Sequence, residues 1–237
     1  MKRQRTLKTG NPANLRRQRE LARYAKRSNL RLEMLEPRLA LYAATLDLLP
    51  TSDSGSSNSD NITNATSWDI RVDGVTVGAN INLVQNGNVI ATAQAQGTDT
   101  FVDFTLDSSV VGAYADGQVD LVAADAANAT DFTTPLTITK DTVADDFSTS
   151  SPTAGVQGQD VNYNPNNPEE GAGASYALLN SVESVVPAGA TIDANSGLLT
   201  WVPSDEQIGA FSFQIQFTDA AGNTKTQNVD ISIDPAA

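Results

Sequence analysis

The side chains of this chain best equipped for chemistry are its carboxylates, 28 of them against 15 lysines and arginines. Histidine and cysteine are both absent, which removes thiol nucleophiles, the Ser-His-Asp arrangement, imidazole or thiolate zinc sites and disulfide bridges together. Three pairs of acids are adjacent in sequence: Asp145 with Asp146, Glu169 with Glu170, and Asp205 with Glu206. Hydrolysis of a glycosidic bond needs two carboxylates about 5 to 10 Å apart across a cleft that grips a sugar. Neighbours on a strand point to opposite faces, and two tryptophans and five tyrosines offer little to line such a cleft. The acids therefore read as non-catalytic, serving either as solvated surface charge or as oxygen donors for calcium, which accepts Asp, Glu, Asn and carbonyl ligands in irregular geometry.

Charge is divided unevenly along the chain. Residues 1–50 carry 12 Lys and Arg against 4 acids, a net of +8, whereas residues 51–237 carry 3 bases against 24 acids, a net of −21. A body so acidic repels phosphate backbones and anionic membranes, so nucleic acid is excluded as its partner. The basic segment has Leu15, Leu21 and Tyr24 loosely spaced for one face of a short helix, and no run approaches the roughly 20 apolar residues of a membrane span. Peripheral association of this segment with a membrane or envelope stays open.

Periodicity supplies the elements that must hold the acids. Residues 51–64, TSDSGSSNSDNITN, are almost devoid of apolar side chains and are expected to form a flexible linker. Beyond Trp68, short apolar runs alternate with turn residues at the spacing of a β-sandwich. Asn86-Gly87 marks a type I′ hairpin, and Val102, Phe104 and Leu106 share one face of the next strand. In the C-terminal part, Phe211, Phe213, Ile215 and Phe217 alternate with polar residues, as do Val229, Ile231 and Ile233. The fold class is all-β, with two tandem immunoglobulin-like or cadherin-like β-sandwiches at 67–143 and 147–237, after a largely unstructured or short-helical N-terminal segment (1–50) and a linker (51–66). Trp201 could stack on a sugar, but its strand spacing from Leu199 places it in a core. Asn61, Asn64 and Asn128 each open an N-glycosylation triplet, in a chain whose Asn and Thr content produces such triplets by composition.

Three stretches resemble known families. NLRLEMLEPRLALYAATLDLLP, with Leu35, Glu36, Pro37, Arg38 and Leu39 at its centre, resembles the LEPR-type N-terminal segment of large secreted and surface proteins of planctomycete bacteria; the resemblance implies export. The hairpin at Asn86-Gly87, the turn at Asp116-Gly117, the alanine-rich ADAAN turn and the closing strand before Asp141-Thr142 resemble the bacterial Ig-like repeat of large adhesins. The segment from YALLN to VDISI, through Pro187, Gly189, Ile192-Asp193, Ser196-Gly197, Leu199-Thr200-Trp201, Pro203, Gly209, Thr218-Asp219 and Gly222, resembles the Ig-like family related to the cadherin-like modules of dystroglycan. In cadherins, linker acids and an Asp in a late strand turn share calcium. The resemblance therefore implies Asp145, Asp146, Asp219 and Asn223 as calcium ligands, although the linker lacks the full cadherin motif.

The expected protein is a non-catalytic component of a bacterial cell surface or extracellular space, with sandwiches that act in adhesion or as spacers. Its partner would be a surface or matrix protein or a polysaccharide. The alternative is a carbohydrate-binding accessory protein of a polysaccharide-degrading system. Two or three exposed aromatics in a row would favour that alternative, and buried aromatics would favour adhesion or spacing.

Overall fold

The computed structural model describes residues 44–129, 131–182 and 184–237. The segment carrying Leu35, Glu36, Pro37, Arg38 and Leu39 lies outside them. Strands in the first half are β1 (Thr45–Leu48), β2 (Ile62–Thr63), β3 (Trp68–Asp73), β4 (Asn80–Gln85), β5 (Asn88–Gln94), β6 (Phe101–Leu106), β7 (Gly117–Asp125) and β8 (Leu136–Lys140), with one helical turn, α1 (Ser108–Val111), between β6 and β7. They form two sheets of order β1-β3-β6 and β2-β8-β7-β4-β5. The inward residues of both sheets build one core. Trp68, Ile70 and Val72 of β3 and Val102, Phe104 and Leu106 of β6 meet Ile81 and Leu83 of β4, Leu121 and Ala123 of β7, and Ile138 of β8. The β4–β5 hairpin turns at Asn86 and Gly87, whose φ angles of 50° and 78° are the left-handed pair that a type I′ turn demands. Asp107 caps α1 by accepting from the Ser109 and Val110 backbone amides at 2.8 and 3.2 Å.

The second half contains β9 (Ala154–Val156), β10 (Val161–Tyr163), β11 (Ser175–Asn180), β12 (Thr191–Ile192), β13 (Leu199–Trp201), β14 (Gly209–Thr218) and β15 (Thr224–Asp234). Its sheets have the order β10-β13-β12 and β11-β14-β15-β9. The alternation read in the sequence becomes a ten-residue antiparallel pairing of β14 with β15, from Gly209 opposite Ile233 to Thr218 opposite Thr224. Phe213, Ile215, Phe217, Val229, Ile231 and Ile233 are buried together with Leu199 and Trp201. Phe211 is half-buried and meets Trp201 edge-on, with ring centroids 5.1 Å apart. Trp201 is thus a core residue, as its spacing implied. Both halves are immunoglobulin-like sandwiches, and the described residues are all-β apart from α1.

The structure differs from the expectation for residues 44–66. β1 pairs antiparallel with β3, Leu46 opposite Val72 and Leu48 opposite Ile70, and Leu48 is 1% exposed in the first core. β2 runs parallel to β8. The polar run between β1 and β2 is held by its own side chains. Thr63 Oγ1 donates to the Ser52 carbonyl at 2.6 Å, Ser52 Oγ accepts from the Asp69 amide at 2.8 Å, and Asp53 Oδ2 accepts from the Asn61 amide at 3.1 Å. Low apolar content signals disorder only where the polar groups turn to water. Here Ser, Thr and Asp satisfy neighbouring backbone groups, and strands at both ends supply the anchorage. Leu48→Ala is expected to destabilise the full chain by about 2 to 5 kcal/mol through the cavity it leaves, while Thr45→Ala, at an exposed position of the same strand, should stay within about 0.5 kcal/mol. Urea unfolding of the two variants measures the difference; equal midpoints would show that β1 adds nothing to the core.

Candidate metal site at the joint between the sandwiches

β8 ends at Lys140, and the next residue, Asp141, is fixed by its amide donating to the Thr63 carbonyl at 2.9 Å. β14 ends at Thr218, and Asp219 starts the tight turn that leads into β15. That turn closes on itself: Asp219 Oδ1 accepts from the Asn223 amide at 2.8 Å, Asp219 Oδ2 accepts from Asn223 Nδ2 at 2.9 Å, and the Asp219 amide donates to the Asn223 carbonyl at 3.0 Å. Glu169 sits in the loop before β11, where Asn167 Oδ1 accepts from its amide at 2.9 Å. Asp141, Glu169 and Asp219 come together, each offering a carboxylate oxygen within 4.8 Å of the others.

Electrostatics at this point are unfavourable for the bare chain. Burial pushes the carboxyl of Asp141 above its ordinary range, and the charges of Asp219, Asp116 and Asp145 add to the effect. Burial does the same to Glu169, reinforced by Asp141, Asp145 and Asp219. Asp219 is 2% exposed. The three cationic side chains of residues 51–237 are all engaged elsewhere. Arg71 forms a forked pair with Asp103 at 2.7 and 2.8 Å, Lys140 donates to the Tyr114 carbonyl at 2.6 Å, and Lys225 pairs with Asp146. A hard, oxygen-seeking cation is the chemistry that this trio suits.

Of the ligands that the sequence suggested, Asp219 lies in the trio. Asp145 stands beside it, its amide donating to Glu169 Oε2 at 2.8 Å and its carbonyl accepting from Asn167 Nδ2 at 2.8 Å. Asp146 is exposed and paired with Lys225. Asn223 shapes the Asp219 turn and ties the halves together: its Nδ2 also donates to the Asp141 carbonyl at 3.0 Å, and its Oδ1 accepts from Asn64 Nδ2 at 3.0 Å. Sequence reasoning missed Asp141 and the role of Glu169. Glu169 was visible only as half of an acidic pair, and its neighbour Glu170 is occupied by the Tyr176 hydroxyl and the Asn167 amide. The sole signal for Asp141 was its place directly after the closing strand.

The joint is close-packed. Ser54 Oγ donates to the Ala221 carbonyl at 2.9 Å. Gly55 has φ +93°, and a Cβ there would lie 1.9 Å from the Ala220 carbonyl oxygen, while a Cβ on Gly222 would lie 3.1 Å from the Gly55 Cα. Only glycine fits at Gly55, on grounds of both space and conformation.

Two β-sandwiches in tandem, joined by an acidic, glycine-lined contact, define an immunoglobulin-like modular protein. The chain belongs to the family described as "Putative Ig domain", whose profile matches residues 75–234 and so spans parts of both sandwiches. No curated protein sequence matches the chain. Among solved structures it is similar to murine CEACAM1b, at 15% identity over 81% of this chain and 100% of that one, with a TM-score of 0.36. It is also similar to extracellular domains 3-5 of Drosophila OTK (12% identity, 80% of this chain, TM-score 0.28) and to the N-terminal eight Ig domains of Down Syndrome Cell Adhesion Molecule (13% identity, 73% of this chain, TM-score 0.36). The chain spans 65% of the OTK structure and 23% of the latter.

The raised carboxyl of Glu169 has a directional consequence. A folded-state value above the unfolded one favours the folded chain while the group is neutral, so that stabilisation is complete below the ordinary glutamate value of about 4.3 and is lost as pH rises through the folded value. In calcium-free buffer at pH 7, Glu169→Gln should therefore raise the unfolding midpoint, and the advantage should vanish below about pH 4. Thermal unfolding of parent and variant across pH 3 to 8 measures it; a variant less stable than the parent at pH 7 would show that the carboxylate is not strained.

Proposed function

We propose that this protein is a non-catalytic, exported module of a bacterial surface whose two sandwiches act as a stiff adhesive or spacer unit, with calcium locking the joint. The observation that carries the reading is the Asp141–Glu169–Asp219 trio, contributed by the connector and the second sandwich beside the Asn64–Asn223 bridge. A divalent ion held there would remove the repulsion among the three acids and fix the connector to the second sandwich. Asp141, Glu169 and Asp219 would be its ligands, with Asp145 adding negative charge nearby. The partner would be a surface or matrix protein or a polysaccharide, bound by the exposed faces of the sandwiches. A polysaccharide platform of stacked aromatics has little to draw on: Phe132 is the one exposed aromatic side chain among the described residues.

Affinity for calcium should be modest, with a dissociation constant on the order of 10⁻⁴ to 10⁻³ M as in other extracellular modules. At 5 mM calcium the unfolding free energy should rise by about 1 to 2 kcal/mol, and Glu169→Gln should abolish most of the rise. Titration calorimetry together with thermal unfolding checks this; absence of heat and of any midpoint change at millimolar calcium would remove the metal from the reading.

Export is proposed to depend on the segment centred on Leu35, Glu36, Pro37, Arg38 and Leu39. No helix among the described residues is long and apolar enough to cross a membrane. Deleting residues 32–41 leaves buried Ala44 and strand β1 in place, so the deleted protein should keep its unfolding midpoint while accumulating inside the cell. Fractionation of a bacterial host that uses such segments decides it, and equal export of both proteins would strip the segment of its proposed role.

A further inference from the structure

Several polar side chains that stand opposite each other in neighbouring strands satisfy one another. Thr105 donates to Asp69 at 2.7 Å, Thr92 to Asn82 at 2.8 Å, Thr137 to Asp120 at 2.6 Å and Gln214 to Asn228 at 2.9 Å. Ser212 and Asp230 are opposed in the same way, two residues along from Gln214 and Asn228 on the outer face of the second sandwich. No hydrogen bond joins their side chains to each other or to any other described residue, and the hydroxyls of Ser232 and Thr153 are equally free.

These free groups share a groove of about 550 Å³, a size usual for ligand sites. Its floor is Ala210 and Ser212 of β14 with Asp230 and Ser232 of β15. Thr153 lines one side, where its carbonyl accepts from the Ser232 amide at 3.0 Å, and Ser184 lines the other, in the loop after β11, the strand that flanks β14. A smaller compartment of about 190 Å³, lined by Val182, Gln214 and Asn228, shares Ser212 with the groove, so the two are continuous. Along them the opposed pairs Ala210–Ser232, Ser212–Asp230 and Gln214–Asn228 recur every two residues, or about 7 Å.

We propose that this groove binds a neutral polysaccharide, with a short run of sugar units lying along β14 and β15. The Asp230 carboxylate accepts from two adjacent hydroxyls of one ring, while Ser212, Ser232 and Thr153 both donate to and accept from others. Val182, wholly exposed, offers an apolar surface to the C–H face of a ring in the smaller compartment. Donor and acceptor capacity together select this ligand. An ammonium group only donates, so it would engage Asp230 and leave the hydroxyl protons and the amides of Gln214 and Asn228 without acceptors. An anion is repelled by Asp230 and by a body of net −21. Recognition through hydroxyls in an open groove needs no aromatic platform and is weak, with a dissociation constant on the order of 10⁻³ M for one short chain. Several copies engaging one polymer bind it more tightly. The inference rests on the surface reading above for its choice of polysaccharide over protein, and it is independent of calcium and of export.

Titration of the isotopically labelled full chain in EDTA with cellohexaose, maltohexaose, xylohexaose and mannohexaose, followed by NMR, tests the proposal. At about 10 mM sugar, at least one of the four should shift the backbone signals of residues 210–214 and 228–232 and approach saturation. Asp230→Asn with Ser232→Ala, both at exposed positions, should weaken that binding about tenfold or more while the unfolding midpoint stays that of the parent. The peptide glycyl-lysyl-glycine, as the ammonium probe, should shift the same signals less than the bound sugar does. No shift with any of the four sugars, shifts confined to other faces, undiminished affinity in the double variant, or a stronger response to the peptide would overturn the proposal. Calcium is absent throughout, so each of these failures is separate from a failure of the metal at the joint.

Discussion

Where Gly55 meets the turn at residues 220–222, two backbones approach so closely that no side chain fits between them. This contact sets the spacing of the two halves, and much else follows from it. It brings Asn64 within reach of Asn223, and Asn223 in turn holds the carbonyl of Asp141 and the carboxylate of Asp219. The polar run after β1, poor in apolar groups, thereby becomes the surface on which the second sandwich rests. A connector that looks free in sequence is held because hydrogen-bonding groups from three segments converge on one asparagine.

The acids of the body divide by circumstance. Asp103, Asp107, Asp116 and Asp193 each accept hydrogen bonds that hold them below the ordinary carboxylate range, from Arg71, Ser109, Thr142 and Ser196 respectively. Asp141 and Glu169 at the joint go the other way, because burial removes water without supplying a cation. Asp53 is raised for the same reason, with charge from Asp60 and Asp47 added and one oxygen left without a partner. Most of the acidity serves turns and strand faces; strain is confined to a few positions near the contact.

Much of the fold was legible from residues alone. The alternation of Phe213, Ile215 and Phe217 with polar neighbours can be satisfied only by a half-buried strand, and Asn86-Gly87 dictates its turn through backbone conformation; both signals are local. β1 and β2 were not legible, since four and two residues carry too short a period, and the reasons for their order lie in Asp69, Thr139 and Lys140, remote in sequence. The candidate site was legible in part. Asp219 could be recognised from its turn, but Asp141 and Glu169 reach it only through tertiary approach, and nothing in local spacing separates Glu169, which faces the joint, from Glu170, which serves the Tyr176 hydroxyl.

Both sandwiches share a feature of chain direction. β2 lies parallel to β8, and β9 lies parallel to β15. In each half an early strand is stitched alongside the strand that ends the module, and in the second half it is the first strand, so the chain enters at one end of the β9–β15 ladder and leaves at the other. Tension applied along the chain therefore slides the two strands past each other, loading their hydrogen bonds side by side instead of peeling them open in turn. Rupture of the β9–β15 ladder under such tension is then set by the simultaneous failure of its three paired positions and not by the weakest bond within it.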